Sequence, residues 1–197
     1  HTKFQKHING FASFSDEELG KILETVKPKR LWKRQVFLHE GQVCQHLIWI
    51  SKGVLRLYFM DRLGKEHTIE FGLETNFLTD RHSLSQNIPS IYQIDALCDT
   101  EVLLISRESL LELTSQIPNF GELLRIITLQ ALENYQNRIL ATLTLSADEK
   151  YRTLFKQNPV LLQQVPQHMI ASYLGITPAT LSRIRKNYDK DPGAKLS

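Results

Sequence analysis

Residues Gln167 to Lys186, QHMIASYLGITPATLSRIRK, constrain this chain more than any other stretch. Two short helical patterns meet there at Gly175. The first carries Met169, Ile170, Ala171 and Leu174 on one side. Gly175 can take positive φ at no steric cost. Thr177 is placed to cap the next helix by accepting from free backbone N–H groups. Pro178 suits a first helical position, where its missing donor is not needed. The second helix buries Leu181 and Ile184 and turns Ala179, Ser182, Arg183 and Lys186 outward. A small residue where the helices cross (Ala171), a glycine four later and an apolar anchor six beyond that spell a helix-turn-helix. An ordinary helix pair in a core leaves the outward Ser, Arg and Lys unexplained. The pattern predicts a DNA-binding element.

Charge placement points the same way. The chain has 197 residues and a net charge of +3. Residues 1–149 hold 16 Lys+Arg and 19 Asp+Glu, a balance of −3, whereas residues 150–197 hold 8 and 2, a balance of +6. A basic end on a mildly acidic body suits a polyanionic partner for that end alone. A length of 197 residues allows one large or two small domains, and 42% hydrophobic with 23% charged residues reads as a soluble globular protein. The apolar runs are too short to span a bilayer. The opening HTKFQKHINGF has no signal-peptide core and no initiator Met, which is compatible with a native chain that begins earlier. Cys44 and Cys98 are the only cysteines and lie 54 positions apart. They cannot supply the four thiolates of an iron–sulfur cluster within one chain, and they fit a reducing, cytoplasmic setting.

Taken in order, Phe4 to Lys27 reads as a helical region, with Ser15 and Glu18 as a capping box and Pro28 as its end. From Arg30 to Arg107 the period changes to that of strands. Candidates are Leu31–Leu38, Leu47–Ser51, Val54–Met60, His67–Phe71, Ile91–Leu97 and Val102–Ser106, separated by glycine turns at Gly41, Gly53 and Gly64. Short strands without long helices between them predict an antiparallel barrel or jelly roll. Leu73 to Pro89 interrupts them as a loop with a short helix. Ser109 to Ser115 is a short helix, and Phe120 to Leu145 a long one. The long helix carries two apolar stripes, Leu124/Ile127/Ala131/Tyr135 and Leu132/Ile139/Leu143. Two stripes exceed one buried face; a second copy in a C2 dimer is the simplest cover for the other. Ala147 to Phe155 is a further helix, Asn158-Pro159 a break, and Asp191-Pro192-Gly193 begins a tail expected to be disordered.

This order of parts resembles the cyclic AMP receptor protein and fumarate-nitrate regulator (Crp/Fnr) family. The resemblance runs from about Arg30 to Lys186 and is carried by QVFLHEGQVCQHLIWISKGVLRLYFMDRLGKEH and by ITPATLSRIRK. It implies an α+β chain: an N-terminal helix plus antiparallel β jelly roll over 1–118, a long dimerisation helix over 119–145, and a helix-turn-helix domain with a short tail over 146–197. It further implies a homodimeric transcription regulator that binds double-stranded DNA, with RNA polymerase as a further partner and a small-molecule signal in the barrel. On the DNA side, Arg183 matches the family's guanine-reading arginine. Pro178 and Ala179 stand where the family places two other base-reading side chains, so the half-site should differ. Thr177 and Thr180 match phosphate-contacting positions, Ser182 shares the outward face of Ala179, Arg183 and Lys186, and Arg185 and Lys186 are phosphate-contact candidates. Too little chain follows for the family's β-hairpin wing.

The effector pocket departs from the family. Its ribose-binding Gly-Glu pair falls on Thr79 and Asp80, its phosphate-binding Arg-Ser pair on Ser90 and Ile91, and its base-contacting Thr-Ser pair on Tyr135 and Gln136. A buried cyclic phosphate needs a counter-charge or several donors. Ile91 offers neither. Arg81 is a substitute about nine residues out of place, beside His82, and Tyr135 fills space that a purine needs. The expectation is therefore a regulator with an unidentified effector, no resident cofactor and a pocket unsuited to cyclic AMP. The alternative is a cyclic-nucleotide regulator with non-standard phosphate contacts. Haem is a family option for which His39, His46, His67 and His82 are candidates by residue type. An enzyme reading, a metal-binding cupin, lacks the His-x-His spacing, and no phosphate loop, nucleophile motif or HExxH occurs.

Overall fold

The computed structural model describes residues 1–190 of the chain. The tail from Asp191 lies outside the described residues, so the expectation for it does not enter the fold. Two helices open the chain, α1 (Thr2–Asn9) and α2 (Asp16–Thr25). Ser15 Oγ accepts from the Glu18 N–H at 3.2 Å, and the Glu18 carboxylate accepts from the Ser15 N–H at 2.7 Å, closing the capping box at the start of α2. The helical region over Phe4–Lys27 is thus two pieces and ends earlier than expected. Lys27 and Pro28 already belong to strand β1 (Lys27–Leu31). That strand is at a sheet edge, where a residue without an N–H is tolerated.

Seven further strands follow: β2 (Val36–Leu38), β3 (His46–Lys52), β4 (Leu55–Met60), β5 (Glu66–Gly72), β6 (Phe77–Leu78), β7 (Gln93–Ala96) and β8 (Thr100–Ser106). They form two four-stranded antiparallel sheets, ordered β1-β8-β3-β6 and β2-β7-β4-β5. Leu31, Ile48, Ile50, Leu55, Leu78 and Ile94 are sealed from solvent in the core. The predicted single strand Leu31–Leu38 is divided between the two sheets. The break is held by side chains: Gln35 accepts from the Trp32 N–H at 2.9 Å, Asp99 accepts from the Lys33 N–H at 3.1 Å, and Arg34 takes φ 69°. Periodicity cannot register such a turn. Gly53, at φ 97°, is required where β3 turns into β4, because a Cβ there would stand 2.5 Å from the Thr100 hydroxyl and 2.9 Å from the Thr100 Cα.

β6 was not expected within Leu73–Pro89; two residues are too few for a period. The short helix expected there is α3 (Arg81–Gln86). After β8 come α4 (Arg107–Gln116) and the long α5 (Pro118–Thr144). Leu123, Ile127 and Ala131 of α5 are buried, whereas Leu132, Ile139 and Leu143 are 50%, 62% and 78% exposed in the single chain. The two stripes are therefore unequal, one packed and one bare.

The C-terminal helices are α6 (Ala147–Gln157), α7 (Pro159–Gln164), α8 (Gln167–Leu174) and α9 (Pro178–Lys190). Their core joins Tyr151, Leu154, Ile170, Leu174, Leu181 and Ile184, and it takes in Val54 and Leu97 from the barrel. Helix α8 packs on β5, the outer strand of its sheet. β5 carries a bulge: Leu57 opposes Glu70 and Tyr58 opposes Thr68, which leaves Ile69 as the extra residue.

Candidate functional site

The candidate nucleic-acid face is built by the turn between α8 and α9. Gly175 closes α8 at φ 67°, and the Ile176 N–H donates back to Ala171 O at 3.0 Å. Thr177 Oγ1 accepts from the Thr180 N–H at 3.1 Å, and the two threonine hydroxyls are 2.9 Å apart. Leu181 and Ile184 are buried and fix the rotation of α9. With those two inside, Thr177, Pro178, Ala179, Arg183 and Lys186 are exposed, while Thr180, Ser182 and Arg185 are half-buried. Among the described residues no ion pair engages Arg183, Arg185 or Lys186. An exposed helix N-terminus with hydroxyls, followed by the outward guanidinium of Arg183 and ammonium of Lys186, offers donors and positive charge of the kind that can meet phosphates and base edges.

The barrel candidates fall into two clusters. Thr79, Asp80 and Ser90 are all buried. Asp80 is the N-cap of α3: its carboxylate accepts from the His82 and Ser83 N–H groups at 3.1 and 3.2 Å. Ser90 Oγ donates to the same carboxylate at 2.6 Å. Thr79 Oγ1 donates to His46 O at 2.9 Å and lies 3.2 Å from Cys44 Sγ. The Ser90 hydroxyl and the α3 N–H groups that a cyclic phosphate would seek are therefore already held by the Asp80 carboxylate, which would also repel the incoming anion, and the Thr79 hydroxyl is held by a backbone carbonyl.

The second cluster joins Arg81 and Tyr135 through Glu70. The Tyr135 hydroxyl donates to the Glu70 carboxylate, and Arg81 lies 3.4 Å from Glu70 and 3.3 Å from the Tyr135 oxygen. Burial, reinforced by the Glu70 charge, pushes the Tyr135 phenol well above its ordinary pKa, so it stays a donor. His82, Ile91 and Gln136 are exposed and belong to neither cluster. These residues do not fit a cyclic nucleotide held in the manner the resemblance implies.

The histidines take other places. His39 is exposed, His46 stands edge-on to Phe37, and His67 lies 2.8 Å from Asp61. Among the described residues no group of three or more His, Cys, Asp or Glu side chains could hold a metal ion, and no helix is long and apolar enough to cross a membrane.

Sequence reasoning missed two residues. A cleft of about 460 Å³ opens between β5, α5 and the C-terminal helices, and both Glu70 and Arg138 line it beside Arg81, Tyr135, Lys150 and Tyr173. Arg138 is half-buried, and desolvation lowers its pKa. A signal did exist: Arg138 is the only cation between Arg125 and Lys150.

Comparison with known proteins agrees with this architecture. The cyclic nucleotide-binding domain family matches residues 28–116. No curated protein sequence matches the chain significantly. Among solved structures, FixK2 from Bradyrhizobium japonicum is similar with a TM-score of 0.74, at 18% identity over 84% of this chain and 85% of that one. The Thermus thermophilus catabolite activator protein is similar with a TM-score of 0.57, at 20% identity over 91% and 86%. A transcriptional regulator assigned to the Crp/Fnr family, from Eubacterium rectale, is similar with a TM-score of 0.69, at 16% identity over 89% and 84%. Residues 28–116 thus match the cyclic nucleotide-binding domain family, and the fold is similar to that of solved transcriptional regulators, one of them assigned to the Crp/Fnr family.

Proposed function

We propose that this protein is a dimeric, sequence-specific DNA-binding transcription regulator of the cytoplasm, rather than an enzyme. Its barrel serves as a sensing or scaffolding body that does not use cyclic AMP. The observation that carries the reading is the face of α9. Thr177 caps the helix, Leu181 and Ile184 anchor it, and Arg183 and Lys186 stand outward on it, with half-buried Arg185 on its flank, all three without acidic partners among the described residues. The second copy covers Leu132, Ile139 and Leu143 of α5, the apolar stripe that the single chain leaves bare. RNA polymerase is a further partner on this reading, since the solved structures with this fold include transcription regulators.

Selection of bound duplexes from a random-sequence pool tests the reading, with sedimentation of the free protein alongside. The expected result is a dimer that enriches two inverted half-sites separated by one or more helical turns. A monomer, or a pool that never departs from random, overturns it.

A further inference from the structure

The bulge in β5 leaves backbone groups on an outer strand without a ladder partner, and such groups must be met by something. Two side chains from outside the barrel meet them. Arg138, on α5, donates through Nη2 to Thr68 O at 2.9 Å and through Nη1 to Ile69 O, the carbonyl of the extra residue. Ser172, on α8, accepts from the Thr68 N–H at 2.9 Å and donates to Glu66 O at 3.1 Å. The guanidinium also lies over the Tyr173 ring, 4.3 Å from its centroid, so it touches α8 directly. One cation thus joins the barrel edge, the long helix and the first helix of the helix-turn-helix.

We propose that Arg138 is a latch: it docks α8 on the bulged edge of β5 and so fixes where the recognition helix α9 is presented. This deepens the reading of α8 and α9 as the DNA-binding element and rests on it.

The chemistry suits a contact that can be made and broken. Carbonyl oxygens are neutral acceptors, and among the described residues the guanidinium bonds to no carboxylate, although Glu70 lies close enough to favour its charge. A charge held only by carbonyls and an aromatic face is bound less firmly than one in a bidentate ion pair. The contact also sits at the cleft between barrel and C-terminal helices, on the same helix face as Tyr135, one turn earlier. Tyr135 in turn grips Glu70 of β5. A shift of β5 therefore reaches α8 through Thr68, Ile69 and Glu70 together. Lysine cannot replace the arginine here, because an ammonium lacks the planar fork that serves two carbonyls and stacks on a ring.

Hydrogen–deuterium exchange on the full, DNA-free chain tests the latch without reference to DNA. Arg138→Ala and Arg138→Lys should each raise exchange in the peptides of α8 and of β5 at least about tenfold, with the β3 and β8 core unchanged. Ser172→Ala, a smaller change, should raise the same peptides less. Unaltered α8 exchange, or an equal rise across the barrel core, overturns the latch. If Arg138→Ala fails to fold, Ser172→Ala and Tyr173→Leu decide the question by the same peptides. The second arm measures affinity for DNA selected by the wild-type protein. Arg138→Ala should weaken it at least about tenfold, a loss of about 1.4 kcal/mol, although Arg138 is not on the recognition face. Loosened α8 with undiminished DNA affinity overturns the positioning role. A wild-type protein that selects no DNA removes the regulator reading instead, and the exchange result still judges the latch.

Discussion

Arg183 and Asp80 show how much one side chain settles. Arg183 is exposed on α9 one position before buried Ile184, so its reach is outward by geometry. Arg183→Ala should cost about 1–3 kcal/mol on a selected duplex and relax base choice at one position. Titration against selected and random duplexes checks this; an equal loss on both would reduce Arg183 to a phosphate contact. Asp80 caps α3 and accepts from Ser90 while buried. Asp80→Ala should lower unfolding stability by about 0.5–2 kcal/mol, as for a lost N-cap, read by denaturant titration. His7 and His46 give a pH signature. Burial lowers both pKa values, and for His46 the charges of Lys29 and Lys27 add to the effect. For a base, a depressed folded-state value means that the unfolded chain binds protons more readily. Stability should therefore fall as pH drops through the ordinary histidine range of about 6.5 and towards the folded values. Melting between pH 7.5 and 5.5 measures the slope, and His7→Phe should flatten it.

At the scale of elements, α5 carries the proposed dimer contact. Its barrel side is buried at Leu123, Ile127 and Ala131, and its far side presents Leu129, Leu132, Ile139 and Leu143. These four fall three, seven and four residues apart, the spacing of a coiled-coil seam, with exposed Gln136 between Leu132 and Ile139. A helix with such a seam packs best on its own copy. Ile139→Asp places a charge in that seam and should shift sedimentation from dimer to monomer, with the barrel still folded by circular dichroism. A dimer of unchanged strength would place the interface elsewhere.

For the whole molecule, the question is whether the barrel answers to a ligand. The cap on α3 is internal, the Tyr135–Glu70–Arg81 cluster closes on itself, and exposed Ile91 has neither charge nor side-chain donor for a phosphate. Cyclic AMP should leave the melting temperature unchanged at concentrations where a ligand of the native state would raise it by mass action. A clear rise would mean that Arg81 leaves Glu70 to hold the phosphate. A rise with a different metabolite in the same panel would identify what the barrel or the neighbouring cleft accepts. Val54 and Leu97 of the barrel share one core with the C-terminal helices, including Leu181 and Ile184 of α9.

The sequence by itself determined the local units. Ser15 with Glu18, Gly175 with Thr177 and Pro178, and the apolar spacing of α8 and α9 all act within a few residues of chain, where caps, positive φ and periodicity are decided. The glycine turns and most strands were legible for the same reason. What lay beyond it depends on contacts remote in sequence. The division of Leu31–Leu38 between two sheets needs Asp99, and β6 exists because Phe77 and Leu78 meet Trp49 and Ile48. Asp80 becomes a filled cap only when Ser90 folds over it. The bulge at Ile69, and with it the work of Arg138 and Ser172, appears only when β5 is paired with β4 and met by two helices. A side chain's local pattern states which face it occupies; which backbone it finds there is decided only when distant segments pack.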